Sequence, residues 1–118
     1  MLDDSVQNRS IQEGKSMSDY LGDVQRYDSG ASEEVVDKIV KHLGIALRSR
    51  DASLVSCSDQ SELDRVVEKW CGKKLGMDEA AGGELVSKVC EEMSGDRNKA
   101  RVTFYYLVAK HAGKLGDL

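Results

Sequence analysis

One stretch limits this chain more than any other: RVTFYYLVAKHA, Arg101 to Ala112. Val102, Phe104, Tyr105, Tyr106, Leu107 and Val108 leave it almost no polar side. A segment that is apolar all round is stable only when other elements surround it. Its residue types have high β propensity. Its length, an N-cap candidate at Asp96 and Gly113 just beyond its end favour a helix instead. The expectation is a central helix opening at Asp96, with a short β-hairpin near the C-terminus as the alternative. The chain contains no proline, which excludes Pro-rich linkers and cis-Pro turns and fits a mostly helical fold. Its 118 residues make one domain, large enough for a core without help from metals or disulfides.

Four further helices are legible. Ser18 can cap a first one, carrying Tyr20, Leu21, Val24 and Tyr27 on one stripe and ending at Asp28-Ser29-Gly30. Ser32 caps a second, with Val36, Ile39, Val40, Leu43 and Leu47 at helical spacing. Gly44 falls inside that run, which suggests close packing against another helix. Arg48 to Ser58 is irregular, anchored by Leu54 and Val55. Asp59-Gln60-Ser61-Glu62 then has the form of a capping box, with Asp in place of Ser or Thr. It opens a third helix with Leu63, Val66, Val67, Trp70 and Lys74, stopped at Leu75-Gly76. Trp70, the only tryptophan, is expected in the core. Asp78 caps a fourth helix, whose first half Gly82 and Gly83 weaken and whose second half carries Leu85, Val86, Val89, Cys90 and Met93. The reading is an all-α fold: a compact bundle of about five helices over residues 17–118. Residues 1–16 are polar and poor in apolar side chains, so they are expected to form a disordered tail, an extension ahead of a domain starting at Met17.

The net charge of −4 argues against a dedicated nucleic-acid binder. The start has neither a basic region nor an apolar run, so no signal peptide is expected, and no apolar run reaches membrane-spanning length. Three cysteines, Cys57, Cys71 and Cys90, do not form a secreted disulfide framework; the expectation is free thiols in a cytoplasmic protein.

Met17 to Leu21, the run IVKHLGIALRSRDASLVS (Ile39 to Ser56), KKLG (Lys73 to Gly76) and DRNKARVTFYYLVAK (Asp96 to Lys110) are together distinctive. On these runs the chain resembles a family of small bacterial proteins known only as domain-of-unknown-function family 2853, over about residues 17–115. The resemblance implies a bacterial origin and a small stand-alone domain. It implies no activity, no cofactor and no site residues.

Chemistry must therefore be sought residue by residue. Arg48 and Arg50 leave the second helix, and Arg97, Lys99 and Arg101 open the fifth. Basic side chains at a helix N-terminus oppose its dipole. They are either an anion site, where guanidinium forks and free N–H groups hold a phosphate, or structural partners of Asp51, Glu91 or Glu92. Cys57 beside a helix start is a candidate thiolate, but a base would be needed in reach and only His42 and His111 exist. No CxxC, HxxxH or HExxH is present, and no phosphate loop, dinucleotide fingerprint or nucleophile elbow. No metal, cofactor or catalytic residue is expected. Tyr20, Tyr27, Tyr105 and Tyr106 exceed what a small core needs, and Tyr is enriched at interfaces. The leading expectation is a non-enzymatic protein-interaction module, binding a protein partner or itself; the alternative is anion or nucleic-acid binding by the basic cluster.

Overall fold

A computed structural model describes residues 17–44, 47 and 53–118. Among these residues five helices and one two-stranded ribbon appear in the order α1 (Met17–Gln25), α2 (Glu33–Leu43), β1 (Leu54–Val55), α3 (Gln60–Arg65, continued by a π-helical segment Val66–Lys74), α4 (Glu79–Glu92), β2 (Lys99–Ala100) and α5 (Arg101–His111), with a final 3₁₀ turn at Leu115–Asp117. The expected tail lies outside the described residues.

The all-round apolar segment is central, as its composition requires. Nine consecutive residues of α5, Arg101 to Ala109, are buried. The helix packs against α1, α2, α4 and the π segment at once. Phe104, Leu107 and Val108 meet Trp70, Ile39, Val36 and Met93 in one core. Burying each such side chain contributes about 1.5–3 kcal/mol. Trp70 is 1% exposed, and its indole N–H donates to the Tyr105 carbonyl at 3.0 Å.

Most helix boundaries follow their capping residues. Ser32 Oγ accepts from the Glu34 N–H, Asp59 from Ser61 and Glu62, and Asp78 from Ala81. Gly76 and Gly113 adopt positive φ, 70° and 71°, where α3 and α5 stop.

Four expectations are corrected. Ser18 is itself helical, within α1 (Met17–Gln25), so it does not cap that helix. Helix α2 ends at Leu43, because Gly44 is its C-cap at φ 50°. A Cβ on Gly44 would meet open space, so the glycine serves backbone conformation and not close packing. Helix α5 begins five residues after Asp96 and has no side-chain cap. The Arg101 N–H instead donates to the Ser53 carbonyl at 2.8 Å, and an antiparallel pairing sets Leu54 opposite Ala100 and Val55 opposite Lys99. This ribbon joins two distant segments, so it is not the C-terminal hairpin weighed as the alternative.

The fourth correction concerns the thiols. Cys57 and Cys90 form a disulfide across a separation of 33 residues. Spacing along the chain did not disclose it, because the ribbon and α4 bring the two together only in the fold. Chain-entropy reasoning gives a cross-link of this span about 3–4 kcal/mol. Cys71 remains a free thiol, and burial pushes its pKa up to about 11. Thus Cys57 is a structural bridge here, and the one free thiol is poorly ionised.

Candidate functional site

Arg48 and Arg50 lie outside the described residues. The other three members of the expected basic cluster do not converge. Arg97 is exposed. Lys99 folds back, donating from Nζ to the Asp96 carbonyl at 2.9 Å. The Arg101 guanidinium is buried, pairing with Glu62 at 2.8 Å and donating to the Leu54 carbonyl and the Tyr105 hydroxyl. Burial pulls its pKa down, while Glu62 and Tyr105 pull it up and prevail. Glu62 thus faces Arg101 instead of reaching back to complete the capping box, and the Asp59 N–H donates to the Ser56 carbonyl. The basic residue at the α5 N-terminus is explained by this pairing.

The tyrosines are also mostly committed. Tyr105 and Tyr106 are both buried, so neither presents a ring to a partner. The Tyr106 hydroxyl donates to Asp28 Oδ2 at 2.7 Å. That bond holds the Asp28 carboxyl below its ordinary range, while burial and Asp28 drive the Tyr106 pKa up. Tyr27 is half-buried; burial first, then a bond to Asp96, raises its pKa to about 12. Tyr20 is half-buried against the core. Around them Arg26 bridges Asp23 and Asp96 at 2.8 and 2.6 Å, and Thr103 donates to Asp23. The bond from Arg26 holds the Asp96 carboxyl low. These contacts fasten the α1–α2 turn to α5.

The two histidines make contacts of their own. The His42 ring packs tilted against Trp70, centroids 5.0 Å apart, and burial, helped by Lys74, lowers its pKa. His111 Nε2 meets Glu92 Oε1 at 2.8 Å. Among the described residues no group of three or more His, Cys, Asp or Glu is placed to hold a metal ion, and no helix is long and apolar enough to cross a membrane.

The feature that sequence reasoning missed is a groove on the outer side of the α3–α4 hairpin. Its volume is about 670 Å³. Leu63, Val67, Met77 and Val86 give it an apolar floor, and Asp64, Glu68 and Glu79 line it as well. A shallower depression continues it along α4, past Glu84, Lys88 and Glu91. Two sequence features shape it. The π segment, with its wider turn, carries Val66, Trp70, Cys71 and Leu75 to the core at steps of four, one and four. Gly82 then lets α4 approach that segment: a Cβ there would sit 2.9 Å from Cys71 Cβ. The neighbouring Gly83 lines both depressions, and a Cβ on it would meet nothing within 4 Å. The adjacent glycines thus have opposite uses, one closing the helix contact and one keeping the groove open. The Gly82-Gly83 pair was the available signal, but it looked only like weakness in a helix.

The disulfide ties the entry to α3 to the far end of α4, so it spans the two walls of this groove. Fold and surface together define a small all-α domain with a half-apolar, acid-lined groove between consecutive helices. The chain belongs to the family described as Protein of unknown function (DUF2853), whose sequence profile matches residues 19–116. No curated protein matches it.

Proposed function

We propose that this protein is a non-enzymatic interaction module that docks a polypeptide in the α3–α4 groove. The observation that carries the reading is the groove's lining: the partly exposed side chains of Leu63, Val67 and Met77 beside the carboxylates of Asp64, Glu68 and Glu79. Apolar surface that a small domain leaves exposed in a concave site is suited to a partner's side chains. The four tyrosines expected to form the surface give way to Leu63, Val67 and Met77 in this reading. The basic-cluster alternative has less support, because Arg101 and Lys99 already serve bonds within the chain.

The test uses a random peptide library of unbiased charge, selected on the full chain and on Gly83→Trp. A Cβ at this position meets nothing within 4 Å, so an indole there is expected to occupy the groove. Peptides that bind the wild-type chain at least tenfold tighter than the variant are expected. If none depends on Gly83, the docking reading is overturned.

A further inference from the structure

We infer that the segment docked in the groove is a basic amphipathic helix. This rests on the docking reading above and names the chemistry of its partner. Three observations carry it.

The first is the distribution of carboxylates. Away from the groove, most carboxylates between Asp19 and Asp96 have a local use. Asp23, Asp28, Asp37, Glu62, Glu92 and Asp96 are in ion pairs. Asp59 and Asp78 cap helices, and Asp19, Glu33 and Glu34 sit in first turns, where the helix dipole favours them. Five others, Asp64, Glu68, Glu79, Glu84 and Glu91, line the groove and its continuation. None of the five is in an ion pair; Asp64 accepts a hydrogen bond from the Gln60 amide at 2.9 Å, and Glu79 lies in the first turn of α4. Lys88 is the single cation lining either depression. Carboxylates this dense repel one another, and a cationic partner relieves that repulsion.

The second is the floor. Leu63, Val67 and Met77, each partly exposed, offer apolar contact beside Asp64, Glu68 and Glu79. A wholly polar cation, such as a polyamine, would leave that floor wet. A segment with an apolar face and flanking Lys or Arg covers both. Methionine adds an adaptable contact for side chains of differing shape.

The third is the geometry of the walls. They are consecutive helices, and a third helix seats naturally between the ridges of two others. An extended peptide has little to pair with, since β1 and β2 are two residues each and already pair with one another. A partner helix of about 12 residues would run roughly 18 Å, and its anchors would recur at i, i+3 or i+4, and i+7.

The experiment measures fluorescence anisotropy with two labelled 14-residue peptides on the full chain. Both carry the same leucine face; one bears lysines on its polar face and the other glutamates. A scrambled lysine peptide of equal composition is the control. The lysine peptide is expected to bind at least tenfold tighter than the glutamate and scrambled peptides, and to weaken as salt is raised. Glu68→Lys combined with Glu79→Lys is expected to reverse the preference, and Gly83→Trp to abolish binding at least tenfold. Both variants should keep the wild-type circular dichroism. Equal binding of the scrambled peptide, or a lysine preference that survives the charge reversal, overturns the inference. Groove-dependent library peptides that are neutral or acidic overturn the partner class but leave docking intact. If no peptide of any kind responds to Gly83→Trp, both readings fall.

Discussion

The two sides of this small domain treat polar groups in opposite ways. Where α1 and α2 meet α5, nearly every polar side chain is spent inside the molecule: Tyr106 on Asp28, Thr103 on Asp23, Arg26 on Asp23 and Asp96. Along the α3–α4 groove, Asp64, Glu68 and Glu79 line the wall without cations, and Leu63, Val67 and Met77 stay partly exposed beside them. Both sides rest on the same buried helix, so the difference does not come from the core. A face whose polar groups satisfy one another has little left for a partner; a face with unmatched charge over an apolar floor keeps its binding capacity. The residues that looked most functional in sequence, the arginines and tyrosines, largely belong to the first kind of face.

The strongest way to break this comparison is at Arg101. Its side chain is 10% exposed and that of Glu62 16%. Arg101→Ala leaves Glu62 half-buried without its cation and is expected to cost about 3–5 kcal/mol in urea unfolding. Arg97→Ala, on the exposed turn, should change stability by no more than about 0.5 kcal/mol. Comparable losses for the two would mean that Arg101 is not part of the internal lattice.

The glycine pair sharpens the comparison at smaller scale. Gly82→Ala forces a Cβ against Cys71 and is expected to destabilise by about 1–3 kcal/mol. Gly83→Ala adds a methyl group in open space and removes backbone entropy from the unfolded chain, so it should stabilise by about 0.5–1 kcal/mol. Thermal melts of the two single variants give the signs directly. Like signs would remove the distinction between a packed glycine and an open one.

The smallest effect is the pH dependence of the closed side. Asp96 and Asp28 are held below the ordinary carboxylate range in the folded chain. A depressed folded pKa contributes stability above the unfolded value of about 3.9, and that contribution is lost as pH falls through the folded value. Stability should therefore decline below about pH 4. Asp96→Asn should make that decline shallower while costing about 1 kcal/mol or less at neutral pH, since Arg26 is half exposed and water screens the pair. Urea midpoints between pH 2 and 7 measure both. Superimposable acid limbs would show that Asp96 carries no part of it.

How legible the molecule was depended on the range of the interaction. Caps act within three residues, so Ser32, Asp59 and Asp78 marked their helices correctly, and so did the left-handed stops at Gly76 and Gly113. Asp96 carried the same local signal but serves Arg26, 70 residues away, and α5 takes its first backbone partner from Ser53. Cys57 and Cys90 showed nothing in their spacing for the same reason. The groove was least legible, because a groove is a relation between two surfaces and neither helix carries it alone.

By itself, then, the sequence determined what local physics controls: helical segments, their caps, and the burial of Arg101 to Ala109 demanded by an apolar surface on every side of one helix. The tertiary structure decided which charges find partners. That choice depends on distances between segments remote in the chain, and it is what separates Arg101, consumed by Glu62, from Glu68 and Glu79, left facing outward across an open apolar floor.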